Sequence, residues 1–231
     1  MNKIFITGAG GYVGAMLVKE LLEKNNFVCA YDLFTYGDVL EQHKNLKIIK
    51  GDIRNKQLLE KAIPGNNIFI HLACISNDPS FELNPNLGKE INYDAFEPIV
   101  KIAKDSGVER FIYASSSSVY GLKDEKDVTE EAILEPLTDY SKFKALCEDI
   151  LLKYNDNNFT GTIIRPATVC GYSVRQRFDL VVNILTNNAF NNGKITVFGG
   201  DQLRPNIHIK DMINAYLKVI EADRSIVSGQ I

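Results

Sequence analysis

Two residues of the chain have the types and the spacing that proton transfer requires. Tyr140 and Lys144 lie four positions apart, so in a helix both side chains face the same direction, one turn apart. A free phenol has a pKa of about 10, and a neighbouring ammonium favours the phenolate and lowers that pKa. The pair is therefore a candidate general base with its activator, although this spacing also occurs by chance on amphipathic helices.

A run of serines precedes this pair. Residues 115–118 are all serine and follow a run of apolar residues that predicts a strand. A serine hydroxyl at the end of a strand can donate a hydrogen bond to the substrate oxygen that Tyr140 deprotonates, as general base catalysis requires. A polar exit from a strand into a loop also explains serines here, but four in succession exceed what such an exit needs. We interpret the run and the Tyr140–Lys144 pair as parts of one site.

The N-terminal stretch contains the elements that bind a dinucleotide. Lys3–Thr7 is apolar and β-branched, as in a buried strand, and helical periodicity begins at Tyr12. Between them Gly8, Gly11 and Gly14 recur every three residues, which brings a strand, a tight turn and a helix N-terminus together. That arrangement suits a pyrophosphate. The spacing is GxxGxxG rather than GxGxxG, and a glycine-rich helix cap is the alternative interpretation.

Acidic and small residues after the next strands extend this prediction. Asp32 lies 18 positions after Gly14, where a carboxylate accepts hydrogen bonds from the adenosine ribose and repels a 2′-phosphate, so NAD is favoured over NADP. Asp52 lies beside the expected adenine pocket and is equally suited to capping the following helix. Ala73 and Cys74 are small enough for a cofactor to cross the end of their strand.

Strands alternate with helices over the first 166 residues, which predicts a parallel, doubly wound sheet. The predicted strands are Lys3–Thr7, 27–31, Leu46–Lys50, 68–72, Arg110–Ala114 and 161–165, with helices at 87–106 and 140–154 and a loop at 77–85. His71 lies inside an apolar run and is predicted to be a hydrogen-bonded core residue. Beyond residue 166 we predict a helix at 175–190, a strand at 195–198 and a helix at 210–222.

Charge and cysteine usage exclude several classes of function. A net charge of −3 among 231 residues argues against binding to nucleic acid or to an anionic membrane surface. Apolar runs are of strand length, so no bilayer span is expected, and the chain enters a strand too early for a signal peptide. The four cysteines are far apart, which predicts reduced thiols in a cytoplasmic protein and no metal site.

The motifs TGAGGYVG, Asp32, GDIR, HLA, SSSSVYG, YSKFK, RP and RPNIHIKD occur in an order that resembles the extended short-chain dehydrogenase/reductases. Within them the chain is most similar to the NAD-dependent nucleotide-sugar epimerases and dehydratases. The resemblance implies an α/β, Rossmann-type domain over residues 1–166 with bound NAD. It also implies a smaller substrate-binding region over residues 167–231, interleaved with the first and here truncated at its C-terminal part.

The resemblance also implies roles for single residues. Alignment on VYG makes Ser116 the catalytic serine, with Ser115 and Ser117 near the cofactor and the sugar. Tyr140 takes a proton from a sugar hydroxyl, usually at C4, while the carbon gives a hydride to NAD. Arg204 matches a diphosphate-binding arginine, whose fork geometry suits phosphate oxygens.

Two further arginines, Arg175 and Arg177, are candidates for the same role, and a solvated charge is the alternative for each of the three. The predicted catalytic residues are Tyr140, Lys144 and Ser116, and the predicted substrate contacts are Ser116, Ser117, Thr168, Arg177 and Arg204. The predicted cofactor contacts are Gly8, Gly11, Tyr12, Val13, Gly14, Asp32, Leu33, Asp52, Ile53, Leu72, Ala73, Asn92, Ala114, Tyr140, Lys144 and Pro166.

Two differences from the family pattern refine the predicted activity. Sugar 4,6-dehydratases carry an acid pair where this chain has serines, which disfavours dehydration. Thr168 stands where galactose epimerases have asparagine, which leaves open a different sugar. The motif RPATVCGY with the arginine-rich stretch after it resembles relatives in bacterial surface-polysaccharide pathways. The leading prediction is an NAD-dependent nucleotide-sugar 4-epimerase. The alternatives are a nucleotide-sugar C4 dehydrogenase or ketoreductase and a non-catalytic NAD-binding module.

The expected partners are a nucleotide-diphosphate sugar and a second copy of the chain. The resemblance implies a homodimer built by the helices at 87–106 and 140–154. Their apolar residues, such as Ile99, Ile102, Leu146 and Ile150, suit a core or an interface equally.

Overall fold

The computed structural model describes residues 1–125 and 127–231, and its centre is a six-stranded parallel sheet of order β3-β2-β1-β4-β5-β6. The strands are β1 (Lys3–Thr7), β2 (Phe27–Asp32), β3 (Leu46–Lys50), β4 (Ile68–His71), β5 (Arg110–Ala114) and β6 (Thr160–Ile164). The strand order reverses between β1 and β4, and ligands of doubly wound sheets bind at the carboxyl ends beside such a reversal. The predicted Rossmann-type α/β fold is confirmed.

Helices cover both faces of the sheet. On one face lie α1 (Tyr12–Glu23) and α8 (Ile209–Glu221); on the other lie α2 (Lys56–Ala62), α5 (Phe96–Asp105) and α6 (Asp139–Lys153). The remaining helices are α3 (Asp78–Glu82), α4 (Pro85–Lys89), a π-helical turn (Glu90–Asp94), a 3-10 turn (Ser117–Tyr120), α7 (Val181–Asn192) and α9 (Arg224–Val227). Two short strands, β7 (Thr168–Cys170) and β8 (Asn206–His208), pair in parallel as a second sheet.

Strand β1 shows why the sheet needs both helical layers. Ile4 and Ile6 pack on the side of α1 and α8, Phe5 packs on the side of α5, and all three are fully buried. Side chains along a strand alternate between the two faces, so a strand that is apolar throughout must be covered twice. Burying one such side chain contributes about 1.5–3 kcal/mol.

Helix α8 lies in the predicted substrate-binding region, residues 167–231, but it packs against the predicted NAD-binding domain, residues 1–166. Its Tyr216 is fully buried in the same cluster as Leu17 and Leu21 of α1. The predicted division of the chain at residue 166 therefore remains a prediction.

The loop predicted at residues 77–85 is wrong, because α3 and the start of α4 lie there. Asn77 accepts a hydrogen bond from Ser80 N, and Asn84 accepts one from Leu87 N. Each asparagine caps a short helix with proline in its first turn, a combination that starts helices. The helix predicted at 87–106 is correct in type but is divided into α4, the π-helical turn and α5.

Beyond residue 166 the predicted elements fit less well. The helix predicted from residue 175 begins only at Val181, because side chains hold the preceding backbone in turns; Gln176 Oε1, for example, accepts from Ser173 N at 2.9 Å. The strand predicted at 195–198 is not formed in this described segment, whose side chains are exposed. Strands β7 and β8 and helix α9 are additions to the prediction, and the last long helix, α8, is shifted from it by one residue.

The described residues contain no helix that is long and apolar enough to cross a membrane, and in them no three metal-ligating side chains cluster. All four cysteines are free thiols, of which Cys29 and Cys147 are buried and Cys74 and Cys170 are half-buried.

His71 is the core histidine that the sequence predicts. It is 4% exposed, and its Nδ1 is hydrogen-bonded to Thr7 Oγ1 at 2.8 Å. Burial, with a smaller contribution from the charge of Lys144, lowers the pKa of His71 to about 3. The imidazole is therefore neutral in the folded protein at any pH at which the protein is handled.

We expect His71 to make the protein less stable in acid. Its folded-state pKa lies below the unfolded value of about 6.5, so the unfolded chain takes up a proton that the folded chain does not. The contribution of His71 to the free energy of unfolding therefore falls by about 1.4 kcal/mol per pH unit as the pH drops below about 6. Urea unfolding at pH 7, 6 and 5 should show a shallower dependence in His71→Gln than in wild type. Equal slopes would contradict the expectation.

Candidate active site

Helix α6 carries Tyr140 and Lys144 into the interior beside the end of β5. Tyr140 is 9% and Lys144 4% exposed. Lys144 Nζ donates to the carbonyl oxygen of Ala114 at 2.6 Å and lies 5.9 Å from the centroid of the Tyr140 ring. The helix begins here because Thr138 and Ser141 form a capping box, which satisfies backbone N–H groups of the first turn. The spacing thus places both side chains on one buried face, as predicted.

Burial and charge act in opposite directions on the Tyr140 phenol. Burial raises its pKa, whereas the Lys144 ammonium and, less strongly, the Ser116 hydroxyl lower it, and burial prevails. Lys144 acts in the predicted direction, but the residues of the chain by themselves leave the phenol protonated at neutral pH. Burial opposes the charge of Lys144, yet Cys74 and Tyr140 raise the lysine pKa above its ordinary value, so the ammonium stays charged.

Ser116 is arranged as a hydrogen-bond donor. It caps the 3-10 turn, and its Oγ accepts hydrogen bonds from Ser118 N at 3.1 Å and from Ser118 Oγ at 2.8 Å. A hydroxyl has two acceptor positions and one proton, so the proton of Ser116 remains available. Because Ser116 lies beside the Tyr140 phenol, a substrate oxygen between them can contact both.

The other serines of the run do not share one role. Ser115 is 4% exposed, and its hydroxyl donates to Glu148 of α6. The Ser115 hydroxyl thus binds a buried carboxylate, and the expectation that Ser115 lies near the cofactor and the sugar remains a prediction. Ser117 N donates to the Pro166 carbonyl at 2.9 Å, which ties the run to the end of β6.

The glycines at the start of α1 form a closely packed cradle. A Cβ on Gly8 would lie 2.7 Å from Ala73 N, and one on Gly14 would lie 2.1 Å from Gly8 O. Gly11 is the N-cap without a capping side chain, and the first turn, starting with Tyr12 and Val13, carries no acidic residue. The N–H groups and the helix dipole are thus available to an anion. These residues fit the pyrophosphate of NAD.

Asp32 joins the end of β2 to this cradle. Its Oδ2 accepts from Gly10 N at 3.0 Å and its Oδ1 from Phe34 N at 2.7 Å. Each carboxylate oxygen has a second lone pair, which suits it to accept a ribose hydroxyl. Leu33, the other predicted cofactor contact of this loop, is half exposed beside it.

Removing the charge of Asp32 should weaken the preference for NAD. In Asp32→Asn the amide still accepts a backbone N–H, but nothing negative repels a 2′-phosphate. We expect the ratio of the NADPH to the NADH dissociation constant to fall about tenfold, the size of one charge-assisted contact. Titration of NAD(P)H fluorescence measures both constants, and Asp38→Asn in the same exposed loop is the control. An unchanged ratio in Asp32→Asn would refute the role.

Asp52 does not cap the following helix, so that alternative is wrong. Asn55 caps α2 by accepting from Leu58 N at 3.1 Å. The Asp52 carboxylate instead binds the Arg54 guanidinium at 2.6 Å, and hydrogen bonds from Arg54 lower its pKa. The neighbouring Ile53 is buried. Contact of either residue with an adenine remains a prediction.

Asn92 fixes the loop that follows β4. It lies on the π-helical turn, a distortion frequent at functional sites. Its side-chain amide accepts from Ile75 N at 2.8 Å and donates to Ile75 O at 2.9 Å. Leu72 N in turn donates to Thr7 O at 3.1 Å. The backbone on both sides of Ala73, which a cofactor would cross, is thereby held in place.

The predicted substrate arginines lie in different surroundings. The side chain of Arg177 is only 16% exposed and pairs with Asp179; burial lowers its pKa, but the hydrogen bond to Asp179 contributes to a net rise. Arg204 lies on the exposed segment before β8. The structure thus buries most of the Arg177 side chain and leaves Arg204 at the surface. Thr168 is half-buried at the start of β7.

Arg175 lies over the ring of Tyr36 at 3.8 Å, a cation–π arrangement.

Tyr12 makes connections that sequence reasoning missed. Its hydroxyl donates to Gly171 O at 2.6 Å and accepts from Asn183 Nδ2 at 3.1 Å, while Ser173 Oγ donates to Tyr12 O at 2.8 Å. These bonds fasten the segment after β7 to the start of α1. They join residues about 160 positions apart, and no local pattern signals such contacts.

Three features together define an extended short-chain dehydrogenase/reductase. They are the sheet order, the glycine cradle and the side chains of Ser116, Tyr140 and Lys144. More specifically, a model of the NAD-dependent epimerase/dehydratase family matches residues 4–231, and the chain belongs to this family. Membership confirms the predicted family, which depends on NAD.

Relatives of more than one activity are similar to the chain. A dTDP-D-glucose 4,6-dehydratase of Dictyostelium discoideum is 29% identical, with 94% of this chain and 55% of the relative covered. The structure of a UDP-N-acetylglucosamine 4-epimerase from Methanobrevibacter ruminantium M1 in complex with UDP-N-acetylmuramic acid is 27% identical, with a TM-score of 0.87 and coverages of 96% and 74%. MoeE5 in complex with UDP-glucuronic acid and NAD is 27% identical, with a TM-score of 0.84 and coverages of 96% and 73%.

The chain spans 59% and 51% of the length of two further curated relatives that it matches. A 4-epimerase and a 4,6-dehydratase are both among the similar proteins, so the comparisons do not choose between the two reactions.

Proposed function

We propose that this chain carries the catalytic centre of an NAD-dependent nucleotide-sugar 4-epimerase. The observation that carries the proposal is the placement of the Ser116 hydroxyl beside the Tyr140 phenol, with Lys144 one helical turn away. A dehydratase needs an acid and a base besides this group to eliminate water. In this chain the two positions after Ser116 are serines, which carry no carboxylate, and Ser118 Oγ donates to Ser116 Oγ at 2.8 Å.

The residues divide the reaction as follows. Tyr140 removes the proton of the C4 hydroxyl, and Ser116 donates a hydrogen bond to the same oxygen as negative charge develops on it. The Lys144 ammonium stabilises the phenolate form of Tyr140. NAD, when bound, accepts the hydride that leaves C4 and returns it. The O–H and C–H bonds break as the C4 carbonyl forms, and the reverse step on the other face of the sugar restores both bonds, so that no net oxidation occurs.

A substrate of this kind also needs cationic contacts for its diphosphate. Arg177 supports this assignment best, because its side chain is only 16% exposed whereas Arg204 is exposed, and the guanidinium suits phosphate oxygens. Arg204, Thr168 and Ser117 remain predicted substrate contacts. We propose a nucleotide-diphosphate sugar as the small-molecule partner and leave the base and the sugar to the experiment.

The test uses protein purified without added cofactor. One portion is denatured and the released nucleotide is identified. Another is incubated with UDP-, GDP-, CDP- and dTDP-sugars and followed by proton NMR, with Tyr140→Phe as the inactive control. Retained NAD together with inversion at C4 supports the proposal. Net formation of NADH or a stable keto sugar would assign a dehydrogenase or ketoreductase instead, loss of water would assign a dehydratase, and no turnover would leave a cofactor-binding protein.

We further propose a homodimer through α5 and α6. Of the apolar residues predicted there, Ile99 is fully buried and belongs to the core, whereas Leu146 is 43% exposed. Leu146→Glu places a charge on the exposed face of α6, and we expect it to convert a dimer into a monomer in light scattering at micromolar concentration. Leu122→Glu, a change at another exposed leucine, should leave the mass unchanged. A monomeric wild type would remove the proposal. The cytoplasmic location remains a prediction.

A further inference from the structure

Behind the serine run lies a buried ion pair that the proposed chemistry does not use. Glu148 Oε2 and an Arg165 guanidinium nitrogen are 2.6 Å apart, and the two side chains are 3% and 6% exposed. Arg165 Nε also donates to both carboxylate oxygens, at 3.0 and 3.2 Å. Such a pair persists away from water only when its remaining polar atoms find partners.

Those partners come from the elements around the candidate site. The Ser115 hydroxyl donates to Glu148 Oε1. Arg165 donates to the Tyr120 hydroxyl and to the Glu130 carbonyl, each at 3.1 Å, and stacks on the Tyr120 ring at 5.1 Å. The pair therefore joins the exit of β5, helix α6, the end of β6 and the 3-10 turn.

The pair continues the row of functional residues along α6. Tyr140, Lys144 and Glu148 recur every four positions and so share one face of the helix. Lys144 binds the carbonyl of Ala114, and Glu148 accepts from the hydroxyl of Ser115, the next residue. Two consecutive residues of the β5 exit are thus fastened to two consecutive turns of α6, and the residue that follows them is Ser116.

We propose that Glu148, held by Arg165, is a positioning residue that acts through Ser115 to keep the Ser116 hydroxyl opposite Tyr140. Besides the backbone bonds from Ser115 N to Ile164 O and from Ser117 N to Pro166 O, Lys144 and Glu148 fasten the β5 exit to two successive turns of α6, and the second contact adds to the resistance of this segment to rotation. The guanidinium also balances the carboxylate, so that the anchor adds no net charge beside the phenol. This inference rests on the proposed function for the role of Ser116 and Tyr140.

Ser115→Ala is the variant that isolates the anchor, because Glu148 keeps all its bonds to Arg165. We expect kcat to fall about tenfold, the size of one hydrogen bond to a charged group, with KM changed less than twofold. Ser116 lowers the pKa of Tyr140, so a displaced Ser116 moves the rising limb of the pH profile to higher pH. Asp149→Asn, a change at the neighbouring exposed carboxylate of α6, should alter none of these values.

A double variant separates positioning from a general structural effect. If Ser115 acts only through Ser116, then adding Ser115→Ala to Ser116→Ala lowers kcat no further. An equal loss in both backgrounds would overturn the proposal, as would an unchanged kcat in the single variant. Glu148→Gln should resemble Ser115→Ala where it folds, and a full-rate, folded Glu148→Gln would also contradict the role.

A second readout requires no substrate. The absorbance of phenolate near 295 nm, taken as the difference between a protein and its Tyr140→Phe counterpart, reports the titration of Tyr140 alone. We expect this titration to lie at higher pH in Ser115→Ala than in wild type. If the wild type turns over no sugar but the titration of Tyr140 still shifts in Ser115→Ala, the proposed function is wrong and the positioning role stands. If the titration does not shift in Ser115→Ala, the positioning role is wrong.

Discussion

Replacing Tyr140 by phenylalanine is expected to lower kcat by about 10²- to 10⁴-fold, the contribution of a well-placed general base. The change removes one oxygen and keeps the ring, which is 9% exposed at the start of α6. Lys144 keeps its bond to the Ala114 carbonyl, so the contact between α6 and the end of β5 is preserved in the variant. We therefore expect the retained NAD and the thermal midpoint to stay close to those of wild type.

The helix offers a matched control for this substitution. Tyr154 at the end of α6 has an exposed hydroxyl that donates to Glu97 at 3.1 Å, and Tyr154→Phe should retain full activity. Initial rates from proton NMR at saturating sugar give kcat for both variants. If Tyr140→Phe keeps more than about a tenth of the wild-type rate, another group removes the proton, and the assignment of the base is wrong.

The parts of the site that the sequence predicts correctly are those defined by local spacing. The four-residue interval between Tyr140 and Lys144 places them on one helix face wherever the helix packs. The glycine interval fixes a turn between β1 and α1 in the same way, because it acts within a few residues. The six strands of the central sheet are predicted to within one residue at each end, since apolar runs bounded by polar residues leave little choice.

The parts that the sequence does not predict depend on contacts between distant residues. Ser115 and Ser116 are identical by type, and they differ in that the Ser115 hydroxyl binds the buried Glu148, 33 positions away. Likewise Arg177 and Arg204 both lie in arginine-containing motifs, but the segment after β7 is fastened to Tyr12 and carries Arg177 inwards. Periodicity and motifs contain no information on such pairings, which arise only when the sheet and its helices assemble.

The cradle provides a prediction in which the usual helix preference is reversed. Gly14 lies in the first turn of α1, and in an unhindered helix alanine is more favourable than glycine by about 1 kcal/mol. Here the added Cβ would lie 2.1 Å from Gly8 O and 2.9 Å from Ala9 Cα. Both are backbone atoms of the turn, so they cannot rotate aside as a side chain would.

We therefore expect Gly14→Ala to lower the free energy of unfolding by about 1–3 kcal/mol, as overpacking does, and to abolish NAD retention through displacement of the Gly8 turn. Urea unfolding and the NAD content of purified protein measure the two effects. Gly107→Ala is the control, because Gly107 has a φ of +82° with no atom within 4 Å of its Cβ position. In Gly107→Ala the free energy of unfolding falls only through left-handed backbone strain, by about 1–2 kcal/mol, and NAD stays bound. The two variants should thus lose similar stability, but only Gly14→Ala should lose the cofactor. A Gly14→Ala protein that retains NAD would show that the pyrophosphate site does not depend on close packing of α1 on β1.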